Sequence, residues 1–196
     1  MKSFNKLVAF GIAIAITITI CFLACGNSVM GQDDSKATGT VDQAALFSKP
    51  MIDLGCVVSD ADAAVKFYTT AIGFKEVKGF SVDAEFATAV GLTDQKKLDV
   101  RVLKLGDGEG ATALKLLQIT DDSQKPKNDF IHSSLGFSYL SIYVKDMDAA
   151  MKRLESAGVK SVAQPKPIPS TPVALVLVRD PDGNLIELIG PMADKE

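Results

Sequence analysis

A seven-residue phrase occurs twice in this chain, and its repetition limits the possible fold more than any other feature. Asp60-Ala-Asp-Ala-Ala-Val-Lys66 returns as Asp146-Met-Asp-Ala-Ala-Met-Lys152, with five identities in seven at an offset of 86. Long-period self-similarity marks one supersecondary unit used more than once. Each copy follows a stretch with strand-like alternation, 52–58 and 139–144. Asp60 and Asp146 stand where a side-chain carboxylate caps the free N–H groups of a helix's first turn. Gly73 and Gly158 stand where a left-handed residue ends the helix. Ala64, Phe67, Tyr68 and Ala71 share one face of the first helix, and Ala150, Met151, Leu154 and Ala157 share one face of the second.

Further strands are expected at about 74–80, 99–105 and 112–119 in the first copy, with 83–95 helical or irregular. In the second copy they are expected at about 160–164, 173–179 and 184–189. The four prolines from Pro165 to Pro172 keep that loop extended, as a stiff flap or rim. Asp180-Pro-Asp-Gly-Asn184 supplies a turn before the last strand. The expected fold class is therefore α+β: two tandem βαβββ modules, about 50–120 and 136–191, in one domain over 50–191. A small molecule would bind in the groove between them.

The N-terminus carries an export signal. Lys2 and Lys6 precede an uncharged run from Leu7 to Ala24, which ends in Phe22-Leu-Ala-Cys-Gly26. That ending resembles a bacterial lipoprotein cleavage box, with Cys25 as the lipidated residue. An ordinary cleaved signal peptide and an uncleaved anchor are the alternatives. On the lipoprotein reading, residues 1–24 are the signal peptide and 25–49 a small, polar, flexible tether. The mature protein is then anchored to a membrane, or secreted or periplasmic if Cys25 carries no lipid.

Composition narrows the partners. A net charge of −3 favours neither nucleic acid nor an anionic surface. One histidine and no tryptophan exclude catalysis by several histidines. Cys56 is the one cysteine inside the domain, so packing rather than a disulfide must hold it. It reads as a small buried hydrophobe, and His132 as a surface residue of the linker between modules.

Two further phrases carry a family resemblance: Val58-Ser-Asp…Phe67-Tyr68…Ile72-Gly73-Phe74, and Arg179-Asp-Pro-Asp-Gly-Asn-Leu-Ile-Glu-Leu188. With the paired βαβββ pattern they resemble the vicinal oxygen chelate superfamily, which includes glyoxalase I, bleomycin-resistance proteins and ring-cleaving dioxygenases. The resemblance covers about 140 residues. It speaks to fold and not to one reaction, because this fold hosts many chemistries. It also implies a divalent-metal site built from one first-strand and one last-strand residue of each module. Carried over by position, those residues are Asp53, Lys115, Tyr139 and Glu187.

Strand alternation agrees with that placement. Leu54, Cys56, Leu114, Leu116, Leu140, Ile142, Ile186 and Leu188 face the helices, leaving Asp53, Lys115, Tyr139, Ser141, Tyr143 and Glu187 on the other side. Asp53, Tyr139 and Glu187 can ligate a hard cation, but the Lys115 ammonium has no free lone pair. At an effective dielectric near 20 it would repel a divalent ion about 4 Å away by roughly 8 kcal/mol. No cofactor is therefore expected, and a divalent metal is disfavoured.

Three functions stay open on the sequence. One is a metal-free protein that binds a small ligand through Asp53, Lys115, Tyr139, Ser141 and Glu187. Another is a lyase, isomerase or dioxygenase with Glu187 as general base. The third is an interaction module of a surface assembly. Two modules in one chain permit a homodimer without requiring it.

Overall fold

A computed structural model describes residues 48–49, 51–119, 123–125 and 127–192. The segment expected to be a signal peptide, Cys25 and all but the last residues of the expected tether lie outside the described residues. Among the described residues no helix is long and apolar enough to cross a membrane.

The two modules appear as two four-stranded mixed sheets. In the first, β1 (Leu54–Val57) leads into α1 (Ala61–Lys66), then β2 (Lys75–Val82), α2 (Ala84–Ala89), β3 (Leu98–Lys104) and β4 (Ala113–Leu117). In the second, β5 (Tyr139–Tyr143) leads into α3 (Met147–Ser156), then β6 (Lys166–Pro167), β7 (Val173–Arg179) and β8 (Leu185–Pro191). The strand orders are β1-β4-β3-β2 and β5-β8-β7-β6. In each, the first strand runs parallel to the last and the other pairs are antiparallel.

Register shows how closely the copies correspond. Gly55 stands opposite Lys115 in the first module, and Ser141 stands opposite Glu187 in the second. Gly55 and Ser141 are separated by the same offset of 86 as the two helix phrases. Lys115 and Glu187 therefore occupy matching places on matching strands.

The caps form as the spacing predicts. Asp60 accepts from the Ala63 N–H and Asp146 from the Ala149 N–H, each at 3.0 Å. The first helix departs from expectation in its second half: after Lys66 it widens into a π-helical segment, Phe67–Ile72, closed by Gly73 at φ 104°. Thr69 and Thr70 hydroxyls back-bond to the carbonyls of Val65 and Lys66 there. Arg153 of α3 donates to the Ala71 and Ile72 carbonyls, satisfying acceptors that a helix end leaves free.

The strand expected at about 160–164 does not form. Ser161 makes an isolated bridge to Val178, and the sheet edge is instead the two-residue β6 inside the proline segment. Prolines at 165, 167 and 169 remove alternate N–H donors, so this stretch can serve only as a short edge.

One core serves both modules. It joins Ala64, Phe67, Tyr68 and Leu116 of the first to Ile142, Leu154, Val176 and Leu188 of the second. These residues include the helix-facing positions read from strand alternation. A second, smaller cluster of Ala87, Leu98, Val100, Val102 and Ala113 lies on the opposite face of the first sheet. Val102 pairs with Lys115, so this cluster shares the Lys115 face, and α2 covers that face through fully buried Ala87.

Polar links also cross between modules. Tyr68 donates to Asp180 at 3.0 Å, and Ser59 donates its N–H at 3.1 Å and its hydroxyl to Asp182. Asp180 is 5% exposed and also accepts from the N–H of Asp182, the N–H of Asn184 and the Asn184 side-chain amide. Burial, reinforced by the neighbouring carboxylate of Asp180, pushes the Tyr68 phenol well above its ordinary range, so it remains a donor.

Candidate functional site

The faces turned away from the shared core hold the chemistry. On the first sheet, Lys115 Nζ lies 2.9 Å from Asp53 Oδ2, with both side chains about one-third exposed. Asp53 is two residues before Gly55, the direct partner of Lys115, so the ion pair runs diagonally between neighbouring strands. The Ala113 N–H completes the carboxylate's contacts at 3.4 Å. Hydrogen bonding from Lys115 holds the Asp53 carboxyl below its ordinary range, against partial burial and with help from the Lys115 charge.

On the second sheet, Glu187 accepts a short hydrogen bond from the Ser141 hydroxyl directly across from it. Tyr139 and Tyr143 flank Ser141 on β5 and point to the same side, 49% and 79% exposed. Leu177 stands opposite Glu187 on β7, and Leu175 opposite Ile189, so half-buried aliphatic residues extend this face. The expected site residues are thus joined as two pairs, Asp53 with Lys115 and Ser141 with Glu187, one pair in each module. No hydrogen bond or ion pair among the described residues joins one pair to the other.

Tyr139 borders a cavity of about 170 Å³ where the two modules meet, lined also by Leu54, Cys56, Leu114, Phe137 and Asn184. Two larger hollows, about 490 Å³ beside Gly79–Ser81 and about 710 Å³ along α3, contain none of the expected site residues. Burial, then the nearby Asp180 and Asp182 carboxylates, push the Cys56 thiol up to about 11. A thiol so protonated is a poor nucleophile. His132 is exposed and stacks on Phe130, away from both pairs.

A divalent metal does not fit the residues that stand at the family's ligand positions. The Lys115 ammonium occupies one of them and engages the Asp53 carboxylate at a second. Among the described residues no group of three or more His, Cys, Asp and Glu side chains is placed to hold a metal ion.

Asp180 does more than form the turn expected of its phrase: it joins the two modules. The signal lay in the phrases that carried the resemblance: Tyr68 and Ser59 in the first and Asp180 and Asp182 in the second are each other's hydrogen-bond partners. Those phrases link the two modules.

Paired βαβββ modules joined through one core, with last-strand polar residues on the faces away from it, define a glyoxalase-like domain. Residues 52–188 match the model of the Glyoxalase/Bleomycin resistance protein/Dioxygenase superfamily, and the chain belongs to that superfamily. A "Probable lactoylglutathione lyase" of Vibrio parahaemolyticus is 24% identical over 132 residues, covering 67% of this chain and 83% of that protein. Among solved structures, a glyoxalase family protein from Bacillus cereus aligns with a TM-score of 0.61 at 20% identity, over 76% of this chain and 99% of the other. Glyoxalase I from Zea mays aligns with a TM-score of 0.53 at 22% identity, over 72% of this chain and 46% of the other. At these identities the structural likenesses speak to fold alone.

Proposed function

We propose that this is an exported glyoxalase-like protein that binds a small molecule on the faces carrying Asp53, Lys115, Tyr139, Ser141 and Glu187, without a divalent metal. The Asp53–Lys115 ion pair carries this reading, because it puts a fixed positive charge where the superfamily's metal sites have a ligand. Asp53 is thereby neutralised by an ammonium and needs no metal ion beside it. Native mass spectrometry of the purified protein tests the reading. The expected spectrum shows no stoichiometric zinc, nickel, iron or manganese, and a co-purified organic ligand would identify the occupant. One tightly held transition metal per chain would overturn it and make Asp53, Tyr139 and Glu187 the ligands to examine.

The enzyme reading has one observation in its favour: Ser141 orients the Glu187 carboxylate, as a general base requires. The name of the Vibrio relative makes lactoylglutathione turnover the first activity to assay. Turnover that disappears in Glu187→Gln would favour the enzyme over the binding protein. An interaction module of a surface assembly is the third reading, and a face that takes up no small molecule would support it. A homodimer is compatible with each of the three.

Anchoring is proposed through lipid on Cys25, from the apolar run before it and the polar tether after it. Cys25→Ser should move the protein from the membrane fraction to the soluble one or block its processing. A variant that fractionates and migrates like the parent would rule this anchor out.

A further inference from the structure

The two modules match in register but differ in what their outer faces offer. On the first sheet α2 covers part of the face through buried Ala87, and Asp53 is already held by Lys115, with Lys104 on the same face. The second sheet has no such helix; the segment between β6 and β7 is a five-residue turn, 168–172. The face is buried at its Leu185 end, where Arg179 bonds to the carbonyls of Asn128 and Asp129, and carries exposed tyrosines beyond it; Glu187 has a hydroxyl partner and no ion pair among the described residues.

The surroundings of Glu187 follow from register. Ser141 is directly opposite on β5, which places Tyr139 and Tyr143 at the two diagonal positions. Diagonal neighbours on one face lie about 7–8 Å apart, within reach of an aromatic side chain. On the β7 side stand Leu177 and, diagonally, Leu175 and Arg179. Arg179 is the nearest cation by register; its guanidinium is oriented away by bonds to the carbonyls of Asn128, Asp129 and Gly183 at 2.7–2.9 Å, and keeps its charge. Lys166, exposed on the two-residue edge strand, pairs with Leu175 and so stands two strands from Glu187. A carboxylate flanked along β5 by two exposed phenol rings and along β7 by half-buried leucines is complementary to an organic cation. The carboxylate supplies the opposite charge, the ring faces attract the cation through their quadrupoles, and the neighbouring leucines meet its carbon skeleton.

We infer that the small molecule taken up by this protein is an organic ammonium ion, held on the second module by Glu187 between Tyr139 and Tyr143. This rests on the small-molecule reading above and narrows it to a charge class and to one module.

The test compares three probes of similar shape on the full chain in non-ionic detergent: choline, 3,3-dimethylbutan-1-ol and 3,3-dimethylbutanoate. Binding is followed by NMR titration. Choline should bind at least ten times more tightly than the neutral alcohol, and the carboxylate more weakly than either. Glu187→Gln, which keeps the shape of the side chain, should reduce the choline-to-alcohol ratio to near one. Tyr143→Leu, which keeps apolar area and removes a ring face, should lower that ratio about threefold. If the alcohol or the carboxylate binds as well as choline, the cation inference fails while small-molecule binding stands. If none of the three binds, the cation inference fails, and only a ligand found by native mass spectrometry would keep the small-molecule reading.

Discussion

Asp180→Ala is expected to destabilise the folded domain by roughly 3 kcal/mol, read as a lower urea midpoint with an unchanged slope. The side chain accepts four hydrogen bonds, from Tyr68, the Asp182 N–H, the Asn184 N–H and the Asn184 amide. Alanine leaves buried Tyr68 and the half-buried donors of Asp182 and Asn184 without their acceptor, and each buried unsatisfied group costs about 1–3 kcal/mol. Backbone relaxation and entering water recover part of that sum, so the estimate stays at the lower end. Tyr68→Phe removes one of the four bonds and should cost about 1 kcal/mol. A loss below about 1 kcal/mol for Asp180→Ala would mean that this link does not hold the modules together.

Lys115→Glu should produce divalent-ion binding that the parent protein lacks. The substitution removes a charge that opposes a divalent ion by roughly 8 kcal/mol at 4 Å and an effective dielectric near 20. It also releases Asp53 from its ion pair, placing two carboxylates on one strand face. Without metal the variant should be less stable than the parent, because a paired charge becomes a like-charge contact. With millimolar nickel, zinc or manganese its melting temperature should rise by about 5 °C and fall back on chelation. The parent should respond to neither treatment. The pH dependence should change sign as well. In the parent, the Asp53 carboxyl is held below its unfolded value, so its stabilisation is present above the unfolded value near 4 and disappears as pH falls through the folded one. In the variant, protonating one of two adjacent carboxylates relieves repulsion, so mild acid should stabilise it. A metal response equal in variant and parent would show that Lys115 does not decide the matter.

The repeat carried most of the fold. Asp60 and Asp146 lie in a local phrase, and helix capping depends on neighbours within one turn, so both caps were legible. The helix-facing residues were legible because strand alternation is a local property, and the common offset of 86 extended it to cross-strand register. The β6 region was not, because prolines at alternate positions allow either an extended flap or an edge strand, and only β7 decides between them. Widening of the first helix at Phe67 was also hidden: residue types there suit an ordinary helix, and Arg153 reaches its end from another module. The positions of Asp53 and Lys115 follow from the strand pattern, but the closure of their ion pair depends on how far the lysine reaches across to the neighbouring strand, which the pattern does not specify. The covering of the first sheet by α2 depended on where a weakly patterned segment folds back, and nothing local specifies that.

The shared core has an evolutionary consequence. Tyr68 and Phe67 of one module and Leu154 and Val176 of the other belong to a single packed interior, and neither half encloses it separately. A shorter ancestor with one such module would have exposed that apolar surface to water. Two copies meeting through it would have closed it as the two halves do in this chain. Joining the genes of such a pair would have preserved the interior while letting the two outer faces drift apart. One face could then acquire a covering helix and an ion pair while its twin presented exposed tyrosines.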